Sequence, residues 1–153
     1  MTTQRRSVLK KIMTSIAAFA GAGVAAKAMS PVKEEKVTGN ITYDQDVPLF
    51  AGHTKFNGLV YIAGKGAHFD GDIKAHTDHV LKEVEAELKR AGSSMEKVLK
   101  VNVYLNDIAD YKGMNEVYKG RFGKNPPVRT TVAVAKGGVP GDSLVEIDCI
   151  AYL

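Results

Sequence analysis

The sequence predicts an α+β domain with the order β-β-α-β-α-β-β, in which two helices cover one face of a mixed sheet. Three observations carry this. Residues 72–91 repeat apolar side chains with a helical period. Val98 to Leu105 alternates apolar and polar with a period of two. Two β-rich runs, 129–135 and 144–152, close the chain on either side of a loop containing glycine and proline.

Ile41-Thr42-Tyr43 starts the first strand. Leu59 to Gly64 forms a second, buried strand, entered through the tight turn Asn57-Gly58, and the two runs are expected to pair as a hairpin. In the first helix Ile73, Thr77, Val80, Leu81, Val84, Leu88 and Ala91 fall on one stripe at about 100° per residue. Asp70 or Asp72 caps its start and Gly92 stops it.

In the next strand Leu99, Val101, Val103 and Leu105 are expected to face the helices. Asn106 or Asp107 then caps a second helix running through Phe122, with Ile108, Met114, Val117, Tyr118 and Phe122 as its apolar positions. Gly123 ends it and Pro126-Pro127 prevents continuation. The far face of the sheet carries Tyr61, Ile150 and Tyr152 among polar positions, so it needs cover of its own, and association supplies that most cheaply.

The N-terminal residues have a different character. A basic start (Arg5, Arg6, Lys10, Lys11) precedes the small, apolar run from Ile12 to Ala26, followed by Ala26-Lys27-Ala28. These are the three parts of an export signal, so residues 1–28 read as a signal peptide cut after Ala28, the alternative being an uncleaved N-terminal membrane anchor. The apolar run is shorter than the span of about 20 residues a bilayer requires. Arg5-Arg6-Ser7-Val8-Leu9-Lys10 resembles the twin-arginine pattern, with Val8 where that motif prefers Phe. The expected location is the periplasm, with no membrane attachment once the signal is removed. Residues 29–40 are polar and without apolar period, hence a flexible tether, and 41–153 form the domain.

The net charge of +4 belongs to this leader. Of 21 basic residues, five lie in residues 1–28, leaving 16 against 17 acids in the rest, a balance of −1. The body therefore offers no basic stripe for phosphate contacts, and nucleic acid is not an expected partner. The single cysteine, Cys149, excludes an intrachain disulfide.

Most candidate chemistry motifs fail on context. Gly64-Lys65-Gly66 lacks the third glycine of a dinucleotide fingerprint, and Gly137-Gly138…Gly141 joins two strands, so both are turns. His76 and His79 share a helix, but no carboxylate or cysteine completes a metal set, and no metal is expected. Cys149 sits among Val145, Ile147 and Ala151, a core pattern. Arg129 differs. It starts an otherwise uncharged strand directly after Asn125-Pro126-Pro127-Val128. A guanidinium can grip a carboxylate with two parallel hydrogen bonds. It either pairs with Glu146 or Asp148 on the neighbouring strand or holds a ligand.

Asn125-Pro126-Pro127-Val128-Arg129-Thr130-Thr131-Val132, followed by Leu144-Val145-Glu146-Ile147-Asp148-Cys149-Ile150-Ala151, resembles the C-terminal signature of the RidA/YjgF/UK114 family. So does Val101-Asn102-Val103-Tyr104-Leu105 with Met114-Asn115-Glu116-Val117-Tyr118. The likeness runs from about Gly58 to Leu153. It implies a chorismate-mutase-like homotrimer with clefts between subunits, and cofactor-free deamination of 2-iminobutanoate and 2-iminopropanoate to 2-oxo acids and ammonia.

In that reading Arg129 binds the substrate carboxylate, Glu146 positions or activates the attacking water, Asn115 lies near the cleft, and the backbone of Gly64 lines it. The sequence departs from the family pattern at several positions. Ser-Gly-Gln reads Ala63-Gly64-Lys65, the cysteine often found two residues after the arginine is Thr131, and the tyrosine near the N-terminal turn aligns with Phe50. Lys65 either adds a cation to the pocket or sits in solvent. The alternative function is non-catalytic binding of a small carboxylate in the same cleft.

Overall fold

The computed structural model describes residues 35–153. Six strands form one sheet in the spatial order β1-β2-β3-β6-β4-β5: β1 Val37–Asp44, β2 Val47–Phe56, β3 Leu59–Lys65, β4 Val98–Leu105, β5 Val128–Ala133 and β6 Val145–Tyr152. All neighbours are antiparallel except β4 and β5, which run parallel. Helices α1 (Ile73–Ala91) and α2 (Tyr111–Tyr118) supply the second layer.

The fold class is the expected one, with one strand more than expected. The unforeseen strand is β2, which pairs with both β1 and β3, so β1 and β3 are not hairpin partners. Pro48, Gly52 and His53 interrupt its β pattern, and proline or glycine inside a run argues against a strand. Pro48 lies in the distal part of the hairpin, next to the register shift at Thr42/Tyr43. β1 starts at Val37, so residues 37–40 belong to the sheet and not to a tether. The signal peptide and its cleavage site lie outside the described residues.

Helix α1 follows from its ends and its stripe. The Asp72 carboxylate accepts from the Ala75 N–H at 2.8 Å, and Gly92 closes the helix with φ +89°, a conformation that favours glycine. Val80, Leu81, Val84 and Leu88 are fully buried against Val60, Val101, Val103 and Ile147 of the sheet. Each such side chain contributes roughly 1.5–3 kcal/mol relative to exposure. The second helix is shorter than expected. Ile108–Asp110 is a single 3₁₀ turn, Ile108 is exposed, and the helix breaks at Lys119, whose backbone is extended. Phe122 still packs in the core from the following turns. In β4 a register shift between Val98 and Lys100 turns Val98 inward and leaves Leu99 exposed, against expectation.

One core residue is an acid. Glu87 on α1 is completely buried and receives four side chains. His53 Nδ1 lies 2.8 Å from Oε1, while Asn40 Nδ2 (2.8 Å), Arg90 Nη1 (3.0 Å) and Lys65 Nζ (3.3 Å) reach Oε2. Lys65 is therefore neither a pocket cation nor a solvated one. Burial pushes the Glu87 carboxyl upward, but the hydrogen bonds from His53 and Asn40 and the charge of Lys65 outweigh it and hold the group at about 2. The cluster ties α1 to β1, β2 and β3.

A carboxyl depressed from 4.5 to about 2 stabilises the fold above pH 4.5, and that contribution disappears as pH falls through 2. Glu87→Gln is expected to lose about 3 kcal/mol at neutral pH, because it leaves buried partners uncompensated. In urea titrations the gap between wild type and variant should narrow from pH 4.5 to pH 2. A gap that stays constant over this range would show that the carboxylate charge is not what stabilises the cluster.

Candidate active site

Arg129 stands on the edge strand β5, opposite Val101 of β4. Cross-strand partners point to the same side of a sheet, so its side chain rises toward the helices, beside α2. The guanidinium rests over the Tyr118 ring at 4.5 Å from Cζ to centroid, with the Tyr111 ring at 5.8 Å. Such cation–π contacts hold the group without neutralising it. Nη1 lies 4.0 Å from Met114 Sδ, and Nη2 donates to the Tyr111 hydroxyl at 3.3 Å. Among the described residues no carboxylate comes within ion-pair distance of it.

Tyr111, Met114 and Tyr118 recur at helical spacing along one face of α2, and Asn115 follows Tyr111 by one turn. The sequence signal for this aromatic seat was the i, i+3, i+7 pattern, which reads as core packing alone. Thr131 lies two residues past Arg129 on the same side of β5. Its Oγ1 and the Tyr118 hydroxyl are buried and, among the described residues, without a hydrogen-bond partner. Burial pushes the Tyr118 phenol up to about 12, against the opposing pull of Arg129, so it remains protonated.

Glu146 lies on the other face. It pairs with Tyr104 of β4, whereas Cys149 pairs with Val101, the partner of Arg129. β4 stands between β5 and β6, so the two strands flanking the glycine loop are not neighbours. Neither of the ion pairs offered as the alternative reading of Arg129 forms among the described residues. Asp148 instead accepts from Asn102 Nδ2 at 2.8 Å and from the Tyr104 hydroxyl at 3.1 Å. The Glu146 carboxylate has no hydrogen-bond or ion-pair partner among the described residues.

The structure does bring Gly64 to Glu146. The β3–β6 register shifts between Ile62 and Lys65, and a Cβ added at Gly64 would run into the Glu146 carboxylate. The absence of a side chain lets this acid lie against the backbone. A cleft of about 290 Å³ opens here, lined by Tyr104, Val134, Gly138, Pro140, Glu146 and Asp148. The β4 alternation placed Asn102 and Tyr104 on this polar face, but gave no sign that they serve Asp148. Burial and the neighbouring Asp148 raise the Tyr104 phenol.

The loop bordering this cleft is fastened from below. Ser143 Oγ accepts from Ala67 N (2.9 Å) and donates to Val145 O (2.7 Å). His76 Nδ1 accepts from Leu144 N (3.1 Å), so its proton sits on Nε2 and is donated to Phe69 O (2.8 Å). Both nitrogens are thereby committed to structure. Phe50, on the distal part of β2, is exposed and has no polar handle. Cys149 is buried, and burial followed by the Asp148 charge pushes its thiol up to about 12. That thiol is a packing group and not a nucleophile.

The sequence pattern of the Endoribonuclease L-PSP family matches residues 47–153, which span β2 to the end of the chain. The chain belongs to that family. A RutC family protein of Pyrococcus abyssi is 39% identical over 105 residues, 64% of this chain and 81% of its own. Reactive Intermediate Deaminase A of Arabidopsis thaliana chloroplasts is 34% identical over 106 residues, 65% of this chain and 56% of its own. Among solved structures, RidA from the Antarctic bacterium Psychrobacter superposes with a TM-score of 0.65 at 29% identity, covering 74% of this chain and 98% of that one. The L-PSP/RidA family fold thus accounts for the six-stranded sheet and the two helices.

The buried hydroxyl of Thr131 gives a stability test within this family fold. Valine has the same shape and removes an unpaired polar group, so Thr131→Val should raise stability by about 1 kcal/mol. Urea unfolding measures this, and a loss of similar size would mean that the hydroxyl has a partner in solution.

Proposed function

We propose that this protein hydrolyses small 2-imino acids to 2-oxo acids and ammonia, in clefts formed where one subunit's Arg129 meets another subunit's Glu146. The observation that carries the reading is the mutual isolation of these two groups. Among the described residues, a guanidinium without an acid and a carboxylate without a base sit on opposite faces of one sheet. Within one chain they cannot meet; between copies they can. Tyr61, Leu99, Val128, Val132 and Tyr152 are 43–68% exposed, an apolar surface that association would cover. A homotrimer, the assembly implied by the sequence signature, provides such contacts. The name of the Arabidopsis relative supports the chemistry.

In this mechanism Arg129 takes the substrate carboxylate with two parallel N–H donors. Glu146 accepts a proton from a water as the water oxygen bonds to the imine carbon. Glu146 hands that proton to the imine nitrogen, giving a tetrahedral C(OH)(NH2) intermediate. Its hydroxyl proton then follows to nitrogen through the same carboxylate as the C–N bond breaks, so ammonia leaves and the 2-oxo acid carbonyl forms. General acid–base help of this kind is worth about 10²–10⁴-fold, which suffices for an already reactive imine. The Gly64 backbone and Asn115 border the cleft, with Thr131 beside Arg129. The leader at residues 1–28 supports a periplasmic site of action.

The test generates 2-iminopropanoate with an amino-acid oxidase and times ammonia release. Arg129→Ala should lower the rate by about 10²-fold or more. Equal, uncatalysed rates for wild type and variant would leave only the binding reading, in which a carboxylate is held without turnover. Subunit sharing has its own signature. Arg129→Ala and Glu146→Gln proteins, each inactive, should regain activity when unfolded and refolded together, with about one site in four intact. Failure to regain any would discard the shared site.

A further inference from the structure

The phenol of Tyr111 is placed to do more than cover Arg129. Its oxygen already accepts the Nη2 proton at 3.3 Å, so its own O–H is left to point elsewhere. Tyr111 is 43% exposed, whereas the hydroxyl of Tyr118, the other ring on the guanidinium, is buried and, among the described residues, unpartnered. Tyr111 is therefore the solvent-facing phenol on Arg129. Phe50 and Ala63 bring no hydroxyl. A carboxylate held by two guanidinium N–H groups still has lone pairs to satisfy.

We propose that Tyr111 is a second substrate-binding group, which accepts from Arg129 Nη2 and donates its phenolic O–H to the carboxylate that Arg129 holds. The inference rests on the reading of Arg129 as a carboxylate anchor, and it adds a determinant of specificity. A hydrogen bond to a charged oxygen is stronger than one to a neutral oxygen. Tyr111 thus favours 2-imino and 2-oxo acids over their uncharged amide analogues, beyond what Arg129 alone achieves.

Tyr111→Phe keeps the ring on the guanidinium and removes only the hydroxyl, at an exposed position where folding is not at risk. Pyruvate, the product of 2-iminopropanoate hydrolysis, and its amide serve as probes in calorimetric titrations of the full assembly. Tyr111→Phe should weaken pyruvate binding about tenfold and leave amide binding unchanged. In turnover, KM should rise by the same factor with kcat within about twofold. If Tyr111→Phe binds pyruvate as wild type does while Arg129→Ala does not bind it, the role of Tyr111 is overturned and the anchor stands. If wild type itself takes up no pyruvate, the anchor reading fails and the Tyr111 inference falls with it.

Discussion

The guanidinium of Arg129 lies against the Tyr118 ring at 4.5 Å, and its partners are aromatic faces, a phenol and a thioether instead of an acid. A charge held this way is positioned but not neutralised. Its seat depends on the rest of the domain. The parallel pairing of β4 with β5 sets its height along the sheet, two prolines set the entry of β5, and the short α2 brings two tyrosines over it. Shifting β5 by one residue would turn Arg129 to the far face, because side chains alternate strictly along a strand.

The same alternation isolates Glu146. Of the two readings of Arg129, the one that pairs it with Glu146 or Asp148 treated β5 and β6 as neighbours because one loop joins them. β4 lies between them, and only knowledge of strand order could have shown this. Local signals were otherwise dependable where one physical cause dominated. The Asp72 cap, the Gly92 stop, the α1 stripe and the burial of Cys149 all read directly from residue type and period. β2 was not legible, because Pro48, Gly52 and His53 contradict a strand taken alone, and long-range pairing on both sides overrides them. Glu87 was not legible either. A glutamate among charged residues reads as solvated, and its four partners come from β1, β2, β3 and the next turn of α1.

The two acid-centred arrangements, one around the buried Glu87 and one around the half-buried Glu146, serve different ends. Around Glu87, donors converge until the carboxylate is fully answered, and the result is a tie between the first three strands and the helix layer. Around Glu146, the chain does the reverse. A register shift and a glycine clear space, the nearby hydroxyl and amide donors go to Asp148, and the acid stays free. Lys65, next in sequence to the Gly64 that abuts Glu146, is drawn away to Glu87.

Placing the acid and the base on opposite faces of a single sheet also sets the kinetics of the proposed site. A lone protomer carries two half-sites and no whole one. Its rate would then depend on protomer concentration more steeply than first order, and dilution alone would act as the off state.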